Sequence, residues 1–164
     1  MFEIPSDLNP ALVGLAWLRG RWEGTGYRQW PGEEKTSYAI QIDFADNGGD
    51  YLHYLSQSFE TDDEGRPVKA LAMETGFWRP LADGTVDVMM CSPDGFAEIW
   101  FGKLSPGRID LITDAVARTK DAAVAYTAGR RLYGLVEGKL MFSFDRATTD
   151  QELQSHIWAS LERR

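Results

Sequence analysis

The stretch Val136-Glu137-Gly138-Lys139-Leu140-Met141-Phe142-Ser143-Phe144-Asp145 decides the fold class. It opens on a turn and then alternates. Leu140, Phe142 and Phe144 share one face, while Lys139, Ser143 and Asp145 share the other. A period of two marks a strand with one buried side, whereas a helix would repeat its apolar residues every three or four positions. The stretch Phe96-Ala97-Glu98-Ile99-Trp100-Phe101 alternates in the same way, with Ala97, Ile99 and Phe101 opposite Phe96, Glu98 and Trp100.

Outward from these segments the chain reads as ten short strands, near 20–28, 34–45, 50–60, 67–79, 85–91, 96–103, 108–115, 123–134, 138–146 and 151–162. The separators are turns: Asp46-Asn47-Gly48-Gly49, Asp62-Asp63-Glu64-Gly65, Ala82-Asp83-Gly84, Pro93-Asp94-Gly95 and Ser105-Pro106-Gly107. Glycine there supplies positive φ and proline a preset φ. Such short connections pair neighbouring strands as antiparallel hairpins. An open sheet of this size would expose two long edges, and closure removes them. The predicted fold is therefore all-β: a ten-stranded antiparallel up-and-down β-barrel. A short helix over about 9–18 precedes it and covers one end, capped by Asn9, with Pro10 in its first turn and Leu12, Leu15, Ala16 and Leu18 on one face. The chain reads as a single domain, 1–164, with the barrel over about 20–163.

Composition narrows the function. The 164 residues carry 17 Lys+Arg against 25 Asp+Glu, a net charge of -8. A phosphate backbone or an anionic bilayer needs a basic face, so neither nucleic acid nor membrane is expected as a partner. A chain this long buries roughly 70% of its unfolded surface and needs no metal or disulfide to fold. One cysteine, Cys91, forms no disulfide framework, and two histidines, His53 and His156, make no site that needs three. The opening Met1-Phe2-Glu3-Ile4-Pro5 lacks the basic and apolar regions of a secretory signal, so a cytoplasmic location is expected. The 6 Trp, 6 Tyr and 8 Phe fit strands and suit the lining of a barrel wide enough for a small-molecule cavity.

Few residues carry recognisable chemistry. Gly24-Thr25-Gly26 lacks the rest of a dinucleotide fingerprint, and its glycines suit a sharp strand bend. Asp62, Asp63 and Glu64 form a solvated hairpin tip, while Glu74, Asp87 and Glu98 lie in strands where any could enter the barrel. Cys91 reads as a buried small apolar residue. His53 reads as an ordinary strand residue. His156 lies in the last strand, and a single imidazole suffices to hold haem iron.

Three segments together resemble the nitrobindin family, the haem-binding β-barrel domains also found in some THAP-domain proteins. They are Leu15-Ala16-Trp17-Leu18-Arg19-Gly20-Arg21-Trp22-Glu23-Gly24-Thr25-Gly26, Glu74-Thr75-Gly76-Phe77-Trp78-Arg79, and the closing His156-Ile157-Trp158-Ala159-Ser160-Leu161-Glu162-Arg163. The resemblance implies a ten-stranded barrel holding one haem b, with His156 as the proximal iron ligand. It also implies nitric oxide binding or peroxynitrite isomerisation at ferric haem. Thr25 is a second candidate cofactor contact. The chain departs from the family pattern at Ala72, where a distal histidine is common, and at Arg28 and Gly32, where glycine and threonine are usual.

Strand parity leaves one question open. His156 alternates with Gln154, Trp158 and Ser160, opposite Ile157, Ala159 and Leu161. If those aliphatics face inward, His156 faces outward unless a bulge or an end position turns it. Alternatively the aliphatics pack under the N-terminal helix. The other functional reading is a non-haem carrier or sensor of a small apolar molecule, with Arg28, Arg79 or Arg130 as anchors for a carboxylate. A filled scaffold with no cavity is the third. The partner is thus haem or another small apolar ligand, and the protein is a monomer or homodimer.

Overall fold

A computed structural model describes residues 4–164, so the first three residues of the stretch read for targeting lie outside it. The element order is a 3-10 helix η1 (Pro10–Leu18), then β1 (Gly20–Arg28), β2 (Thr36–Ala45), β3 (Leu52–Thr61), β4 (Pro67–Pro80), β5 (Thr85–Ser92), β6 (Phe96–Ser105), β7 (Arg108–Arg118), β8 (Tyr126–Val136), β9 (Lys139–Thr148) and β10 (Gln151–Arg163). Each strand pairs antiparallel with its neighbour in sequence, and β1 pairs with β10, so the sheet closes into a barrel. At the seam Trp22 sits opposite Arg163 and Arg28 opposite Ile157.

Glycines permit that seam. A Cβ on Gly26 would lie 2.0 Å from the Trp158 carbonyl oxygen, and one on Gly24 would lie 2.0 Å from that of Ser160. No larger residue allows β1 and β10 to approach so closely.

The helix is a 3-10 helix rather than an α-helix. Leu12, Leu15 and Leu18 recur every third residue, the spacing at which 3-10 side chains eclipse into one ridge. That ridge is fully buried against one end of the barrel. The Asn9 side chain accepts from the Ala11 amide at 3.0 Å. At the other end of the helix, the Trp22 indole donates to the Leu18 carbonyl at 2.7 Å. Arg163, the last residue of the closing motif, donates to the carbonyls of Trp17 and Arg19 and stacks 4.2 Å from the Trp22 ring centre.

Above this plug the interior is solid. Phe44, Tyr54, Trp78 and Tyr133 pack edge-on or tilted, with centroids 4.9 Å apart for Trp78 and Tyr133 and 5.2 Å for Phe44 and Tyr54. These aromatics fill the closed half of the barrel, while Tyr38, Phe96, Tyr126, Phe142 and Phe144 line the open half. Cys91, expected in the core, is exposed, because it sits on the outward parity of β5 between inward Met90 and Ser92.

Candidate ligand cavity

The half of the barrel remote from η1 holds a cavity of about 300 Å³. Its wall includes the apolar side chains of Ile40, Leu71, Phe96, Phe142, Phe144 and Ile157. Arg28, Arg146 and His156 also line it, as does Ala72. No helix among the described residues is long and apolar enough to cross a membrane, and no group of three or more His, Cys, Asp or Glu could hold a metal ion. A metal centre here can draw on one histidine.

His156 reaches the cavity through a β-bulge. On β10 the register jumps from Ser155 to Ile157 while the partners on β9 run consecutively, Asp145 and then Phe144. His156 is the extra residue. A bulge re-aims the side chain that the plain alternation would send outward. Ile157 keeps the inward parity of Ala159 and Leu161, and both Ile157 and His156 line the cavity. The parity question is thus resolved by the bulge.

The bulge is clamped by the start of the β1–β2 loop. The Gln29 amide donates to the His156 carbonyl at 2.9 Å, and His156 Nδ1 lies 3.1 Å from the Gln29 carbonyl oxygen. A carbonyl only accepts, so Nδ1 carries the proton and Nε2 carries the lone pair. Trp30 and Phe144 hold the ring edge-on, with centroids 5.4 and 5.9 Å away. Burial, reinforced by the nearby Arg146 charge, lowers the imidazole from the usual 6.5 to about 4, against the opposing pull of the Gln29 bond. His156 is therefore a neutral imidazole near pH 7.

The inner part of the cavity is polar. Arg131 on β8 is only 3% exposed, and it holds both oxygens of Glu74 on β4 with its two terminal nitrogens, Nη2 to Oε2 at 2.8 Å. Tyr54 donates to the same carboxylate at 2.7 Å. Burial alone would raise the Glu74 carboxyl, but the Arg131 charge and these hydrogen bonds hold it below its usual range. The guanidinium also stacks 4.5 Å from Phe144 and 4.9 Å from Trp100. Glu98, 4% exposed, forms no ion pair among the described residues. Burial and the Glu74 charge push it upward, and Arg131 offsets part of that shift.

The other expected site residues divide. Thr25 stands on the outer wall, where it faces an exterior groove with Tyr27 and Trp158. The inward parity of β1 belongs to Trp22, Gly24, Gly26 and Arg28. Arg79 and Arg130 are also outward and pair with Asp87 and Asp110 at 2.9 and 3.2 Å. Of the three suggested anchors only Arg28 reaches the cavity. Gly32 is an exposed turn residue with φ 85°. His53 bonds Thr75 Oγ1 at 2.8 Å and leans on Phe77, a structural role on the outer face. Arg131 and Arg146 were not singled out from the sequence. Parity with Tyr133 and with Phe144 was the available signal for each.

A closed antiparallel barrel, plugged at one end and presenting one neutral imidazole to a cavity at the other, defines a barrel with a ligand-sized cavity rather than a filled scaffold. The chain belongs to the family described as "THAP4-like, heme-binding beta-barrel domain", whose model matches residues 11–163. It is 53% identical over 163 residues to the "Ferric nitrobindin-like protein" of Cutibacterium acnes, covering 99% of this chain and 98% of that one. It is 41% identical over 162 residues to the "Peroxynitrite isomerase" of a Nocardioides species, again covering 99% and 98%. Among solved structures it is similar to Rv2717c from M. tuberculosis, with TM-score 0.84 and 30% identity over 96% of this chain and 99% of the other. The likeness read from the three motifs is a family membership.

Proposed function

We propose that this protein binds ferric haem b in its cavity, with His156 Nε2 as the axial ligand, and acts on reactive nitrogen species. The observation that carries the reading is the bulged His156, whose Nδ1 is tied to the Gln29 carbonyl. A second-shell carbonyl on one ring nitrogen fixes the tautomer and raises the basicity of the other, the arrangement found in metal-ligating histidines. The residues present fit the group in three respects. The ligand atom is a neutral imidazole, the wall beside it is apolar, and Arg28 and Arg146 are available to meet the carboxylates of a haem. Ala72 supplies no acid or base at its position, and what His156, Arg28 and Arg146 contribute is binding and orientation. When bound, ferric haem supplies an iron centre that takes up nitric oxide and promotes isomerisation of peroxynitrite to nitrate. The family membership and the names of the relatives support this reading.

The test is hemin titration of the haem-free protein followed by the Soret band. The wild type takes up one equivalent with a shifted band, and His156→Ala loses the shift. Absence of uptake by the wild type ends the proposal. Native mass spectrometry of protein taken from cells is the companion measurement, and a bound mass other than haem favours a carrier instead.

A further inference from the structure

The barrel places Thr25 outside, in a groove that the haem reading does not use. The groove crosses the outer faces of β1, β10, β9 and β8, reaches the start of β7, and encloses about 490 Å³. Strand register sets its residues in two rows. Tyr27, Trp158, Ser143 and Leu132 follow one another across the strands in the first. Thr25, Ser160, Met141, Gly134 and Arg108 follow in the second. Ser143, Thr25, Ser160 and Gly134 are small, so the surface dips between the large side chains around them. Tyr27, Met141 and Val136 are 45, 42 and 53% exposed along its walls. Apolar surface left open to water in a recess with polar edges marks a place that something covers.

The two ends of the groove differ. At one end the rings of Tyr27 and Trp158 stand 6.2 Å apart, tilted by 39°. At the other stands Arg108, the only charged residue of the lining. Its partner Asp110, at 2.8 Å, also receives Arg130 at 3.2 Å. Lys103 sits opposite Asp110 on β6, and Asp145 sits opposite Arg130 on β9. Three cations thus meet two carboxylates, a local positive excess in a chain of net charge -8. Glu23 and Glu162, the acids beside Thr25 and Ser160, are each paired, with Arg164 and Lys139 at 3.1 Å. Asp110 takes Nε and Nη2 of Arg108, which leaves Nη1 open to a further acceptor.

We propose that this outer groove binds an aromatic carboxylate, its rings against Trp158 and over Ser143 and Gly134, its acid group on Arg108. The length fits. Trp158 and Arg108 stand three strand spacings apart, about 14 Å, which a two-ring body and its acid group fill once the Arg108 side chain reaches in. Gly134 keeps the floor open. A Cβ there would come no closer than 4.0 Å to any neighbour, and its φ is not positive, so neither packing nor backbone calls for glycine. Its missing side chain serves the groove rather than the fold.

The site needs no haem, so the test uses the haem-free, isotope-labelled full chain, titrated with sodium 2-naphthoate and followed by NMR. The Trp158 indole and the Gly134 amide are expected to shift saturably, while His156 and Phe144 in the inner cavity stay in place. The uncharged 2-naphthamide binds about threefold more weakly or worse, and Arg108→Gln weakens the naphthoate by the same order, as a half-exposed charged contact should. Gly134→Leu fills the groove and abolishes binding without lowering the thermal midpoint. Ser143→Leu closes the same recess from the next strand and serves if the first variant does not fold. The proposal is overturned by no saturable shift at the Trp158 indole, by undiminished binding in the groove-filling variants, or by equal affinity for the amide. It is also overturned by a wild-type dimer in sedimentation that Gly134→Leu dissociates, since a second copy would then be the occupant. The hemin titration fails or succeeds independently of these outcomes.

Discussion

Arg131 on β8 and Glu74 on β4 meet across the barrel interior, guanidinium to carboxylate, with Nη2 2.8 Å from Oε2. The pair is sealed from solvent on the arginine side and stacked between aromatic rings. Removing one member strands the other as a buried charge, which costs about 3–5 kcal/mol. Arg131→Met is therefore expected to lower stability by that order in urea unfolding. The double variant Glu74→Gln/Arg131→Met recovers part of the loss. If the double variant is as unstable as the two single losses summed, the charge pair is not the reason.

Glu98 gives the opposite sign. Its carboxyl is raised in the folded state, mainly by burial. The native protein then holds more protons than the unfolded chain over the window above the ordinary carboxyl range. Stability from this group is full below about 4.3 and declines as pH rises through the folded value. Glu98→Gln removes the charge and keeps the shape. Its expected effect is a higher melting midpoint at pH 7 with little change at pH 4. Equal shifts at both values would show that the carboxyl is not strained by ionisation.

His156 titrates at about 4 in the folded protein, against an ordinary 6.5. Between those values the unfolded chain binds the extra proton, so this group's contribution to stability is full above about 6.5 and is lost as pH falls toward 4. NMR of the haem-free protein should follow the ring to a midpoint near 4, with the proton on Nδ1 above it. A midpoint near 6.5 would mean that the ring is not packed between Trp30 and Phe144 as found.

Gly26→Ala places a methyl carbon against the Trp158 carbonyl. The seam between β1 and β10 has no room to yield without breaking its ladder. A loss of at least about 2 kcal/mol is expected from the overpacking. Gly138→Ala meets nothing within 4 Å and tests only its φ of 80°. The first substitution should cost more than the second in parallel denaturation curves.

Most of the barrel was legible because its turns are local and its strands alternate. Lys139 to Asp145 needs only parity to be placed, and every strand read from such patterns is present within a few residues. The site was less legible because it depends on register defects. Nothing local distinguishes His156 from Trp158 until the partner strand shows that one residue is extra. Tyr126 is a similar case: a register shift between it and Ala128 puts it on the same inner face as Arg131 and Tyr133, against simple counting. Thr25 was misplaced for the opposite reason, since β1 keeps its plain alternation and sends it outward. Arg131 was overlooked beside Arg130, although one of two adjacent strand arginines must face inward. The 3-10 winding of η1 followed from a three-residue leucine repeat that also satisfies a loose helical pattern.

The pairing of β1 with β10 has a consequence for how the protein is made. The first and last strands of the barrel are neighbours in space and more than a hundred residues apart in sequence, so the contact of greatest sequence separation forms after all the others have been synthesised. His156 arrives with that last strand, and the Gln29 carbonyl that orients it has been waiting since the first. Until β10 leaves the ribosome, the nascent sheet has two raw edges and no imidazole beside its cavity. A small molecule that depends on His156 is therefore taken up only by the finished barrel.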